Sequence, residues 1–253
     1  MAGRRQRLDL ELVRREVCPS RAAAAEDIAA GRILVNGAAA TKASHQVLPG
    51  DALRRVGDAP RFVSRGGDKL DAALDAFGID VTGLRVLDAG ASTGGFTDCL
   101  LQRQARQVVA VDVGHGQLHS RLRNDPRVHV FERLHVRDLT TEQIGGPVDM
   151  VVADLSFISL RSVLGALLAV AVAGAPIVLL VKPQFEAGRR VVSRGRGIVT
   201  DPAVHAEVVD RIIATLGELG AEVRGQMESP LRGAEGNTEF LVYAVVGRSG
   251  LPQ

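Results

Sequence analysis

The chain has no tryptophan, one tyrosine and only 3% aromatic residues, so the core that its 46% hydrophobic content can build must be largely aliphatic. Its two cysteines, Cys18 and Cys99, lie far apart, and neither has the C-x-x-C or Cys/His spacing of a metal site. That excludes a disulfide framework and a metal centre. The amino terminus carries Arg4, Arg5 and Arg7 but runs directly into Asp9 and Glu11, without the apolar stretch of a secretory signal, so the expected location is cytoplasmic. One long apolar run exists, Leu160 to Val181, with Arg161 as its single charge, and Gly174-Ala175-Pro176 interrupts it. A helix of about fourteen residues followed by a buried strand accounts for that composition better than a membrane span, so no stable membrane insertion is expected.

A strong excess of either charge is also missing, since the net charge is +2. The distribution is uneven: residues 1–65 carry +5 and the remainder −3. The basic end is therefore the candidate for a polyanionic partner. A length of 253 residues suffices for one α/β domain with a small appendage.

The stretch that organises the chain is Val86 to Phe96, V-L-D-A-G-A-S-T-G-G-F. An apolar strand ends at Leu87, Asp88 opens a turn, and Gly90, Gly94 and Gly95 can let backbone approach a ligand without a Cβ in the way. A helix over Thr97 to Gln104 and a second strand, Val108 to Val111, follow and lead to Asp112, 22 residues after Gly90. Strand, glycine turn, helix and an acid-tipped strand form one half of a nucleotide-binding sheet. The spacing D-x-G-x-x-x-G-G departs from the dinucleotide pattern and resembles the first motif of S-adenosylmethionine (SAM) methyltransferases. That resemblance assigns Asp112 to the ribose hydroxyls of the cofactor. It places Asp88, Gly90, Ser92, Gly94 and Phe96 in the cofactor turn and Asp138 near the adenine.

Ahead of this stretch, helices are expected over Leu8–Val17 and Arg21–Ala30, the second capped by Ser20 and stopped by Gly31. The strand R-I-L-V-N-G enters an Asn-Gly hairpin, and a further strand covers Ala52–Val56. S-R-A-A-A-A-E-D-I-A-A-G-R-I-L-V-N-G with Lys42, Ser44 and P-G-D at 49–51 resembles the αL RNA-binding motif first described in ribosomal protein S four. The resemblance implies phosphate contacts by Arg4, Arg5, Arg7, Arg21, Arg32 and Lys42. The expected organisation is an RNA-binding domain over residues 1–58, a linker over 59–67, a methyltransferase domain over 68–247 and a tail over 248–253.

In the larger domain, Leu70, Ala73, Leu74 and Phe77 form a helix stripe; Lys69 lies off it and by helix geometry alone faces solvent. A helix is expected from about residue 111 to Arg123. Strands follow over Val128–Phe131, Val148–Ala153 (ending on Asp154) and Ile177–Val181 (ending on Lys182). The loop Gln184–Thr200, with Arg189 and Arg196 among its four arginines, is long enough to be functional. Asp201-Pro202 starts a helix through Leu219, and strands over Ala221–Met227 and Phe240–Val246 complete a seven-stranded, doubly wound sheet.

Lys69, Asp154, Lys182 and Glu239 come from four elements. A ribose hydroxyl is a poor nucleophile, and a lysine held by carboxylates beside a SAM pocket can activate it. The four residues match the K-D-K-E set of FtsJ-like RNA 2′-O-methyltransferases. With R-G-G-D-K-L, V-D-V-G-x-G-Q-L, A-D-L-S-F-I-S-L, K-P-Q-F-E and E-G-N-x-E-F, the chain resembles the TlyA (hemolysin A) family. The resemblance implies SAM-dependent cytidine 2′-O-methylation of small- and large-subunit ribosomal RNA, with ribosomal RNA or subunits as partner. It also raises two alternatives, a membrane-active hemolysin and a non-catalytic ribosome-assembly factor. The broken apolar run argues against the first; the intact SAM turn with both lysines argues against the second.

Overall fold

The computed structural model describes residues 5–18, 20–57, 60–188, 192–193, 195, 197–233 and 235–247. Arg4, Arg189 and Arg196, expected to bind RNA, and the tail from 248 lie outside the described residues. The chain divides into two compact units at Pro60/Arg61. Residues 61–67, expected as linker, thus pack into the larger unit, where Phe62 is buried against Gly67.

In the smaller unit, α1 (Leu8–Arg14) and α2 (Arg21–Ala29) pack beside two small sheets. β1 (Gln6–Arg7) pairs with β4 (Gln46–Val47), and β2 (Ile33–Val35) lies between β3 (Ala38–Ala39) and β5 (Leu53–Arg55). Leu8, Leu12, Ala24, Ile28, Ile33 and Val47 form its core. α1 is shorter than expected because Glu16 adopts φ 58° and the Val17 N–H turns back to the Leu12 carbonyl, a Schellman-type end. The Asn-Gly hairpin is present, with Asn36 and Gly37 at φ 50° and 86°. Ser20 caps α2 through Ala23 N–H, at 3.1 Å.

The larger unit contains a seven-stranded sheet in the order β11-β12-β10-β9-β6-β7-β8. The strands are β6 (Arg85–Ala89), β7 (Gln107–Asp112), β8 (Val128–Glu132), β9 (Met150–Ala153), β10 (Pro176–Val181), β11 (Ala221–Glu228) and β12 (Phe240–Val246). β6 to β10 run parallel to their neighbours, and β12 runs antiparallel between β10 and β11. Alternate residues serve opposite faces. Val86, Val108, Val152 and Leu180 pack with α3 (Gly66–Phe77), α4 (Gly95–Gln102) and α5 (Ser120–Arg123). Leu87, Val109, Val151 and Leu179 pack with α6 (Leu164–Ala169) and α8 (Pro202–Glu218), between which in the chain lies the short α7 (Pro183–Glu186). Truncating a fully buried residue such as Leu87 to alanine is expected to cost about 2–5 kcal/mol.

Two expected helices are shorter. Residues 113–119 form a loop, and only α5 is helical before Arg123. The run after Leu160 folds as a 3-10 turn (Leu160–Ser162) and then the six-residue α6, because Val163 leaves helical geometry at φ −127°. Ala171 then bridges to Val148. Among the described residues, no helix is long and apolar enough to cross a membrane.

Candidate active site

The strand order reverses between β6 and β9, because the chain leaves β6 toward β7 and β8 and returns on the other side. In such sheets ligands sit at the carboxyl ends of the strands flanking that point. A cleft of about 440 Å³ lies there, between Gly90 after β6 and Asp154 after β9. Ser92 and Asp112 line it as expected. Asp112 is held by backbone: Oδ2 accepts from Ser92 N–H at 2.8 Å and Oδ1 from Gly114 N–H at 2.6 Å. Each oxygen keeps a lone pair for a further donor such as a ribose hydroxyl.

The other expected cofactor residues lie elsewhere. Asp138 is exposed in a 3-10 turn (Val136–Asp138), and His135, three residues earlier, reaches the cleft instead. Phe96 is buried in the core. Asp88 is fully buried beneath the turn, accepting from Thr97 Oγ1 at 2.6 Å, and burial pushes its carboxyl up to about 7. Close packing by itself requires the three glycines. A Cβ on Gly90 would stand 2.4 Å from the Asp154 carbonyl oxygen, and one on Gly94 2.3 Å from Leu122. One on Gly95 would stand 2.4 Å from Ser64 Oγ. Gln117, His135 and Phe157 line the cleft without having been singled out. Gln117 and Phe157 belong to the motifs V-D-V-G-x-G-Q-L and A-D-L-S-F-I-S-L.

Beside the cleft stand two lysine–carboxylate pairs. Lys182 Nζ lies 2.5 Å from Asp154 Oδ1 and donates to Ser156 Oγ at 2.9 Å. Lys69 Nζ lies 2.5 Å from Glu239 Oε2, and both residues are buried. Lys69 is therefore not solvent-facing. It precedes Ala73 by one helical turn, at the border of the buried stripe, where Glu239 neutralises it. Burying such pairs costs desolvation that attraction barely repays, so packing alone does not explain them. The loop between these residues is anchored by Glu186, which accepts from Ser159 Oγ and Leu160 N–H, both at 2.6 Å. That loop carries Phe157, 92% exposed at φ 65°, with its ring against Phe185. Both cysteines are buried, and burial pushes Cys99 up to about 12, which rules out a thiolate nucleophile at neutral pH. Among the described residues, no group of His, Cys, Asp and Glu could hold a metal ion.

In the smaller unit, the arginines expected to bind RNA also brace buried acids. Arg7 and Arg21 both hold Asp9, at 3.0 and 2.8 Å, and Arg32 and Arg55 hold Asp27 at 2.8 Å each. The hydrogen bond from Arg7 holds the Asp9 carboxyl well below the usual range. Arg7 and Arg21 remain about half exposed, and a guanidinium has five N–H donors, so each keeps some facing solvent. Among the described residues, Arg5, Lys42 and Arg54 are exposed and make no ion pair.

A doubly wound sheet with one antiparallel strand, whose switch-point cleft is lined by the backbone-held acid Asp112 and by Asp154, the partner of Lys182, is the architecture of a Rossmann-like SAM-dependent methyltransferase. The FtsJ-like methyltransferase model matches residues 62–245 and the S4 domain model residues 6–53, and the chain belongs to the FtsJ-like methyltransferase family. It is similar to the 16S/23S rRNA (cytidine-2′-O)-methyltransferase TlyA of Mycobacterium tuberculosis, 53% identical over 242 residues, covering 95% of this chain and 90% of that one. A solved structure of a hemolysin candidate from Streptococcus thermophilus is 38% identical, with a TM-score of 0.78 over 97% of this chain and 90% of that one. The fold alone is shared with the N-methyltransferase NodS of Bradyrhizobium japonicum, solved with S-adenosyl-L-homocysteine. That likeness is 13% identical, with a TM-score of 0.51 over 72% of this chain and 88% of that one.

Proposed function

We propose that the chain methylates the 2′-hydroxyl of cytidines in small- and large-subunit ribosomal RNA in the cytoplasm, with the S4 domain supplying RNA affinity. The observation that carries this reading is the Lys182–Asp154 pair, because Asp154 also lines the cofactor cleft and so puts the lysine beside the cofactor. The cleft fits SAM in two respects: its volume is that of a small-molecule site, and Asp112 offers lone pairs at its wall. Gly90, Ser92, Asp112 and Asp154 would hold the cofactor, which supplies an electrophilic methyl group on a sulfonium.

The protein's own residues do the rest. Lys182, fixed by Asp154 and Ser156, donates toward the ribose hydroxyl oxygen and stabilises the negative charge that develops there as the hydroxyl proton is lost to solvent water. Asp154 orients Lys182, and Lys69 with Glu239 completes a charge-balanced wall. Exposed Phe157 at the rim suits stacking of an unpaired base. Incubation with methyl-labelled SAM and ribosomal particles, followed by mapping of the modified positions, tests the reading. Label on cytidine 2′-oxygens is expected; label on bases, or none in the RNA, refutes it.

A further inference from the structure

A second cleft, of about 640 Å³, opens on the same carboxyl edge of the sheet as the cofactor cleft. Its floor is set by register. Phe240 pairs with Val181, the last residue of β10, and with Glu228, the last of β11, so the cleft begins where these strands stop. The residue before Phe240 is Glu239, the carboxylate that holds Lys69. The cleft and the proposed catalytic wall are therefore one residue apart along the chain, on opposite faces of the same sheet edge.

The walls have a defined chemistry. The His205 ring stands edge-on to Phe240, with centroids 5.4 Å apart, and Nε2 lies 2.8 Å from the Val199 carbonyl oxygen. A carbonyl can only accept, so Nε2 carries a proton and donates to it. Asn237, buried, fixes the facing segment by donating to the Gly197 carbonyl and accepting from Val199 N–H. Asp210 and Glu228 place two carboxylates on the exposed rim against one cation, Arg232. Two carboxylates disfavour a phosphate and favour a flat group rich in N–H donors, which describes the amino-bearing edge of a nucleobase.

We propose that this cleft is a nucleotide subsite of the substrate RNA, receiving the base of a nucleotide next to the one whose ribose reaches Lys182. The proposal rests on the methyltransfer reading above. A base unstacked from its neighbours to expose the target ribose needs such a replacement for its lost stacking.

The test uses Ala206, exposed on α8 and lining the cleft. Ala206→Trp fills the cleft without removing a buried contact, and because the chain has no tryptophan its fluorescence reports on that position alone. With ribosomal particles as substrate, Ala206→Trp should bind SAM as the unaltered protein does but raise KM for RNA about 10- to 100-fold, the loss of one stacking contact. Unchanged KM and kcat in Ala206→Trp would overturn the subsite. Should Ala206→Trp fail to fold, the unaltered protein is crosslinked to RNA carrying 4-thiouridine beside the methylated nucleotide. Adducts within 198–210 or 226–240 support the subsite, and adducts confined elsewhere overturn it. Methylation by the unaltered protein is measured first, so failure of the methyltransfer reading is seen separately.

Discussion

Lys182 and Glu239 stand opposite each other across the β10–β12 ladder, one step beyond the pair Val181 and Phe240, yet each is ion-paired elsewhere, Lys182 with Asp154 and Glu239 with Lys69. Antiparallel pairing brings the start of β12 to the end of β10, which is how a residue so late in the chain reaches the edge formed by the parallel strands. Each lysine has its own carboxylate, so neither cation is left uncompensated. The two lysine side chains are buried to nearly the same extent, and Lys182 is joined to the cleft wall through Asp154 and Ser156.

The cofactor wall yields a first prediction. Asp112 is tied to two backbone N–H groups and offers its remaining lone pairs to the cofactor. Asp112→Ala should weaken SAM binding by about tenfold or more, measured by calorimetry, and methylation should recover when SAM is raised. Unchanged affinity would remove Asp112 from the cofactor site.

The S4 domain separates two kinds of cation. Lys42→Ala and Arg54→Ala, at residues without an ion pair, should each lower the salt dependence of RNA binding by about one unit and leave stability unchanged. Arg21→Ala should do the first and also expose Asp9, so hydrogen exchange over 8–29 should quicken. An Arg21→Ala protein with full protection and an unchanged salt slope would assign that arginine to neither role.

Asp88 predicts a pH dependence. Its folded-state carboxyl is raised by burial to about 7, so between about pH 4 and 7 the native state binds its proton more tightly than the unfolded chain. Stability from this group is full at low pH and falls as pH rises through that window, by at most about 4 kcal/mol. The gap in unfolding free energy between Asp88→Asn and the unaltered protein should therefore shift toward the variant from pH 5 to 8. A gap constant across that range would show that Asp88 ionises normally.

Elements with a single strong signal were legible in the sequence. The continuous apolar strands, Ser20 before α2, Asn36-Gly37 and the Asp201-Pro202 helix start each state their conformation locally, and the structure has them. Lys69 could not be read from helix geometry, because its burial depends on Glu239, 170 residues away. Arg7 and Arg21 were read as phosphate contacts by motif, while their shared hold on Asp9 is a tertiary relation. The loop over 113–119 carries Gly114 and Gly116 and leaves helical geometry where Asp112 takes Gly114 N–H and Gly116 adopts φ 69°. Of the turn glycines, sequence shows the need for small residues and not what fills the space; Leu122 and Ser64 fill it.

The central claim is that Lys182 activates the ribose hydroxyl. Its most direct test is single-turnover methyl transfer by Lys182→Ala on ribosomal particles at saturating RNA and labelled SAM, with SAM and RNA affinities measured on the same preparation. The account predicts a rate lower by about 10² to 10⁴ with both affinities retained. Full turnover at saturating RNA, with only the RNA affinity reduced, would contradict it and leave Lys182 as a phosphate contact.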